Sequence, residues 1–360
     1  MHIISPDWIY LKNKIISNAH SLLIDGSVII DVLNNAKIDT QYKKCKKYNY
    51  SDMILMPSFA EGFLNLDECE RLVDKNTKIK NLISHGVTNI QIYASCYQDI
   101  LDCDLDELIN YTIIIELNGR ENIQNKINEM NRYLDFYKNN PNIQFSALIR
   151  NISDFNKDML TKLISILNEI NIKIIIDYIE ISHEEKKLPD LLIFLEDINF
   201  FNNQVSVICK EIENVSINVI KSKDILLMIP HESINTNDSM SMIEEITQNN
   251  IPILYITDKS NIYDPYKIFK IQKFILNQKD KLSFDKICYG PFSYNASEIF
   301  SKFNYDGIIK KGSLACFNLF DIGDKFLLKD TNYKPMIDGL DSRSLCHVWS
   351  AGKKIYSRDK

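Results

Sequence analysis

The sequence predicts an α/β chain: a (β/α)₈ barrel of the TIM type flanked by a small β-sandwich domain built from both chain ends. Three observations predict it. From about Ser51 to Tyr305, short apolar runs alternate with amphipathic stretches, the pattern of buried parallel strands separated by helices. On either side of that zone the pattern changes to short β-type runs separated by turn residues. The chain has no internal repeat and no low-complexity linker. The expected limits are 1–50 for the first part of the β domain, 51–311 for the barrel and 312–360 for the second part.

The opening zone holds β-type runs at Trp8-Ile-Tyr10, Ser21-Leu-Leu-Ile24 and Val28-Ile-Ile-Asp-Val32. Asp25-Gly26 between the last two is a short hairpin signal, because both turn positions must tolerate positive φ. A small antiparallel sheet is the expectation. The stretch Tyr42-Lys-Lys-Cys-Lys-Lys-Tyr48 is basic with flanking aromatics; charge runs of this length belong to solvated loops.

The middle zone offers eight candidate strands. They are Ile54-Leu-Met56, Asn89-Ile-Gln-Ile-Tyr93, Thr112-Ile-Ile-Ile-Glu116, Gln144-Phe-Ser-Ala-Leu148, Lys173-Ile-Ile-Ile-Asp177, Val205-Ser-Val-Ile208, Ile225-Leu-Leu-Met-Ile229 and Pro252-Ile-Leu-Tyr-Ile256. Between them, segments such as Asp158 to Glu169 carry apolar residues at helical spacing. A (β/α)₈ barrel needs roughly 250 residues, which this zone supplies. The closing zone returns to short runs: Ala315 to Phe320, Phe326-Leu-Leu328, Cys346-His-Val-Trp349 and Ala351 to Tyr356.

Composition narrows the function. The 360 residues are 45% apolar and 25% charged, with a net charge of −6. That balance lacks the basic footprint of a nucleic-acid binder. No apolar run approaches the roughly 20 residues that span a bilayer, and the first 30 positions lack a basic start followed by an apolar core. A cytoplasmic protein with no membrane partner is expected. The eight cysteines are scattered without a CxxC pair, which suits free thiols rather than a zinc ribbon or a disulfide framework. A Gly-rich phosphate loop, GxSxG and HExxH are all missing from the sequence.

Four stretches carry a resemblance. Met56-Pro57 through Leu66 resembles the opening strand "Leu-Met-Pro-Gly-Leu-Val-Asn-Ala-His-x-His", and Gly86-Val-Thr-Asn-Ile resembles "Gly-Val-Thr-Thr-Val". Asn250 to Ser260 resembles the eighth strand "Gly-Val-x-Val-x-Leu-Gly-Thr-Asp-x-Ser". Gly307 to Asp321, followed by Trp349 to Tyr356, resembles the two closing β segments. In order and spacing these are similar to the metal-dependent hydrolases of the amidohydrolase superfamily, within it to the cytosine deaminase, chlorohydrolase and aminofutalosine deaminase branch.

That resemblance implies a divalent metal, zinc, iron or manganese, which lowers the pKa of a bound water for attack on a cyclic C–N substrate. It implies two histidines after strand one, one each after strands five and six, an aspartate after strand eight, and a proton-shuttling glutamate. On the matching register Phe63 and Asn65 replace the first two histidines, Asp177 replaces the third, and Cys209 or Lys210 the fourth. Asp258 stands at the aspartate position and Glu180 at the glutamate position. A phenylalanine has no lone pair and an amide is a poor ligand for zinc. His231, His183 and His85 lie off the ligand register, and His2, His20 and His347 lie in the β zones.

Two readings follow. In the first, the chain is an impaired amidohydrolase-fold protein, a pseudoenzyme without a metal cofactor that takes a small molecule at the barrel mouth, another copy of itself or a protein partner. In the second, it is an active aminohydrolase, a deaminase of a purine-like or other cyclic amine. There Asp258 and Glu180 are catalytic, and Asp258, Asp177 and Cys209 hold the metal.

Overall fold

The computed structural model describes the chain apart from positions 13, 18, 68, 70, 97, 120–122, 151, 179–187, 199, 201–204, 210–213, 231–236, 258–265, 267–288, 324–339 and 359–360. The chain opens with β1 (His2–Leu11), β2 (Lys14–Ser17), β3 (His20–Asp25), β4 (Val28–Asn34), helix α1 (Asn35–Gln41) and β5 (Lys46–Pro57). Asp25 still pairs with Val28, so the turn that joins β3 to β4 is Gly26-Ser27, one position later than expected, with Gly26 at φ 56°. The expected antiparallel sheet is instead mixed: β1 pairs antiparallel with β2 and β3 but parallel with β5. A parallel pair needs a crossover, and β3, β4 and α1 provide it.

After Pro57 the chain leaves this sheet and begins the barrel at β6 (Phe59–Asn65). Ile54 to Met56 therefore belong to β5 and pair with the C-terminal part of the chain, rather than forming the first barrel strand. The run is continuous in sequence, and only Pro57 and the buried Ser58 mark the change of sheet. The barrel continues through β7 (Val87–Tyr93), β8 (Asn110–Glu116), β9 (Ile143–Ile149), β10 (Lys173–Asp177), β11 (Val205–Ile208), β12 (Leu226–Pro230) and β13 (Ile253–Ile256). Each pairs in parallel with the next. Among the described helices, α2 (Leu72–Ser84), α3 (Gln98–Leu101), α4 (Ile123–Tyr137) and α5 (Lys157–Glu169) follow the first four strands. The result is a near-closed barrel of eight parallel strands.

β14 (Phe317–Asp321), β15 (Leu345–Ser350) and β16 (Lys353–Ser357) return to the first sheet, completing the order β16-β15-β14-β5-β1-β3-β4 with β2 off its path. Both chain ends thus build the accessory sheet. The Phe326 to Leu328 run lies outside the described residues. Asn318 on β14 donates through Nδ2 to Gly86 O at 3.0 Å, which fastens this sheet to the barrel.

Apolar residues divide into an inner and an outer set. Ala60, Phe63, Tyr93, Ile114, Leu148, Ile175, Ile208, Met228 and Ile256 pack together inside the barrel. Ile92, Ile113, Ile149, Ile176 and Val207 face the helices, as the two-residue period of a strand requires. The base is filled by 3₁₀ turns between Gly290 and Phe303. Lys173 Nζ and Gln144 Nε2 donate to Ile299 O at 3.2 and 2.6 Å and hold this plug in place.

Candidate functional site

The carboxyl ends of barrel strands are where such folds place their chemistry. Here Phe63 of β6 and Tyr93 of β7 are buried and stacked, with ring centroids 5.6 Å apart and planes 17° apart. Glu116 ends β8, two residues beyond the interior Ile114, and Arg150 follows β9, two residues beyond the interior Leu148. Strand periodicity therefore turns both towards the mouth. The Tyr93 hydroxyl donates to Glu116 Oε2, and Arg150 Nε lies 3.1 Å from that same oxygen. The Arg150 guanidinium also covers the Tyr93 ring at 4.6 Å, a cation–π arrangement. Burial and the adjacent Glu116 carboxylate push the Tyr93 phenol well above its ordinary range.

Below this cluster sits a second device. Glu61 is fully buried on β6. Its Oε1 accepts from Phe63 N at 2.9 Å and from Thr257 N at 3.1 Å, and its Oε2 accepts from the Thr257 hydroxyl. Thr257 immediately follows β13, so this carboxylate bridges the first and last strands of the barrel. Burial raises its pKa to about 7, against the three hydrogen bonds and the charge of Lys78, which favour the ionised form.

The residues singled out in the sequence are distributed unevenly. Phe63 is in the stack. Asn65 closes β6 and turns its Oδ1 to Asp67 N at 3.0 Å, while its carbonyl accepts from Lys78 Nζ at 2.9 Å. Asp177 ends β10, buried and in the inward register set by Ile175. Cys209 belongs to the outer cluster between strands and helices, and burial pushes its thiol up to about 12. It does not share the mouth with Asp177. His85 caps the end of α2, its Nδ1 2.7 Å from Asn81 O. Asp258, Glu180, Lys210, His183 and His231 lie outside the described residues.

Tyr93, Glu116, Arg150 and Glu61 carry the geometry, yet no motif pointed to them. The signal was available: Tyr93 and Glu116 are the last residues of their apolar runs, where a parallel barrel presents side chains at its mouth.

A divalent metal does not fit what is described. Among the described residues no group of three or more His, Cys, Asp or Glu could hold one. Phe63 is packed against Tyr93, Asn65 is spent on a local turn, Cys209 faces away with its thiol held protonated, and Glu116 is engaged by Tyr93 and Arg150.

No protein-family profile matches the chain, and no curated protein matches it. Solved structures do. An adenosine deaminase from Xanthomonas campestris with bound zinc superposes with a TM-score of 0.79 at 11% identity, covering 98% of this chain and 92% of that one. The aminofutalosine deaminase of Helicobacter pylori gives 0.77 at 13% identity, covering 99% and 100%. A guanine deaminase from C. acetobutylicum gives 0.79 at 12% identity, covering 99% and 100%. What they share with this chain is the fold. Its structural neighbours are thus distant deaminases and chlorohydrolases of the amidohydrolase superfamily.

Proposed function

We propose that this chain is an amidohydrolase-fold protein of the deaminase and chlorohydrolase branch that binds a small molecule at the barrel mouth without hydrolysing it. One observation carries the reading: the position of the first family histidine is filled by Phe63, which is locked face to face onto Tyr93. A phenyl ring there supplies packing and no ligand. The mouth becomes an aromatic and ion-paired surface of Phe63, Tyr93, Arg150 and Glu116 with Asp177 beside it. Such a surface is suited to holding a planar or polar molecule rather than to activating water. Fold alone licenses no activity.

The test is metal analysis of protein purified without chelators or an affinity tag, alongside turnover assays with adenosine, guanine and cytosine. The expected result is zinc, iron and manganese far below one equivalent and no turnover. Near-stoichiometric metal with turnover that Asp258→Asn or Glu180→Gln abolishes would overturn it in favour of an active aminohydrolase with a rearranged site.

A further inference from the structure

At the base of the barrel, opposite the mouth, the turn between β1 and β2 meets the start of β13 and the plug, and together they border a cleft of about 270 Å³. Ile251, Pro252 and Tyr294 form its apolar part, Thr247 and Asn295 add polar groups, and Lys12 comes from the β1–β2 turn. Lys12 Nζ stands 4.1 Å from the centre of the Tyr294 ring, a cation–π contact that holds the accessory sheet's turn against the first 3₁₀ residue of the plug's middle turn. The volume is that of roughly nine water molecules.

Among the described residues that line the cleft, Lys12 alone is charged, and it forms no ion pair with any described residue. An ammonium has three donors, and a ring face on one side leaves donors for an acceptor on the other. The polar groups around it are turned back onto the chain. The helix Asn237–Gln248 ends against the cleft, where Glu245 O, Ile246 O and Thr247 O accept from the backbone N–H of Asn249, Ile251 and Asn250 at 3.0, 3.1 and 3.1 Å. The Thr247 hydroxyl donates to Ile243 O at 2.6 Å, and Asn295 Nδ2 donates to Ile253 O at 2.8 Å. What is left is one positive charge at the edge of an otherwise uncharged cleft with an apolar wall.

We propose that this basal cleft binds a small monocarboxylate with a flat apolar body, its carboxylate on the Lys12 ammonium and its body against Ile251, Pro252 and the Tyr294 ring. The single positive charge selects an anion over a neutral molecule or an amine, and the apolar wall rewards a body that a bare anion lacks. The cleft and the barrel mouth lie at opposite ends of the barrel, so either can fail without the other.

Isothermal titration of the full chain with benzoate tests it, with benzamide as the uncharged control and acetate as the control without a body. Saturable benzoate binding is expected, with each control at least ~10-fold weaker. Lys12→Met should weaken benzoate by ~10-fold and Lys12→Arg by no more than ~3-fold, with unchanged urea midpoints showing that both variants fold. The two controls are read on the wild type and need no variant. Absence of saturable benzoate binding, benzamide or acetate binding as tightly as benzoate, or benzoate binding that survives Lys12→Met undiminished, as it would if benzoate sat by Arg150 at the mouth, would overturn the proposal.

Discussion

The Phe63 ring lies flat against the Tyr93 ring, 5.6 Å between centroids, and the Arg150 guanidinium, just beyond β9, reaches across β8 to cover Tyr93 at 4.6 Å. Mouth positions of the first, second and fourth barrel strands are thereby joined by packing and π contacts. Phe63 is 3% exposed, so removing it opens a cavity that its strand neighbours cannot refill. Phe63→Ala is expected to cost ~3–5 kcal/mol, measured by urea unfolding. A cost below ~1 kcal/mol would show that the stack contributes nothing to the mouth.

Glu61 gives a pH dependence whose sign is fixed by the direction of its shift. Its pKa is about 7 in the folded chain against 4.5 ordinarily, so the folded state holds the proton more tightly than the unfolded one. Its contribution is fully present below pH 4.5 and is lost as the pH rises through about 7. The full change amounts to about 3 kcal/mol. Subtracting the unfolding curve of Glu61→Gln from that of the wild type isolates it. The difference should move against the wild type across that window. A flat difference would mean that the carboxylate is not desolvated as its burial implies.

The barrel was legible in the sequence because seven of its eight strands are continuous apolar runs bounded by helical periodicity, as both-faces-buried strands must be. The eighth, β6 (Phe59–Asn65), was not, and Ile54 to Met56 stood in its place because it has the same composition as a barrel strand; its assignment to the accessory sheet depends on pairing with Phe317 to Asp321, some 260 positions away, which no local pattern encodes. The loss at Phe63 was equally legible, since an aromatic hydrocarbon cannot bind a metal in any conformation. Cys209 was harder: adjacent residues at a strand end point to opposite faces, and a shift of one position turns a ligand into a core residue. Glu61 carries no sequence signal at all, because its role exists only where β6 meets β13.

Lys173 anchors the opposite end of the barrel and should behave in the contrary sense. Burial lowers its pKa from 10.5 to about 8, although Glu298 pulls it up. The unfolded chain therefore binds this proton more tightly than the folded one, and the penalty is fully present below pH 8 and relieved as the pH approaches 10.5. Wild type should gain stability relative to Lys173→Met over that alkaline window. The measurement is a pair of thermal unfolding series from neutral to alkaline pH. Parallel curves would show that Lys173 is solvated and does not hold the plug through Ile299 O and Ser301 Oγ.

Gly62 tests the closure of the barrel itself. It lies on β6 between Glu61, which bridges to Thr257, and Phe63, which begins the mouth stack. A Cβ at this position would collide with Leu254 Cδ2 and stand 2.7 Å from Ile256 Cγ2, both on β13 and both fully packed. The requirement here is close approach of two strands rather than an unusual backbone angle. Gly62→Ala must push β6 away from β13, which stretches the Glu61 to Thr257 bonds as well as crowding Leu254. A loss of ~1–3 kcal/mol is expected from overpacking. The coupling makes a sharper forecast: in a Glu61→Gln background the same alanine should cost less, since the bonds it strains are already weakened. Additive losses in the double variant would show that Gly62 and Glu61 act separately, and that the seam is held by packing alone.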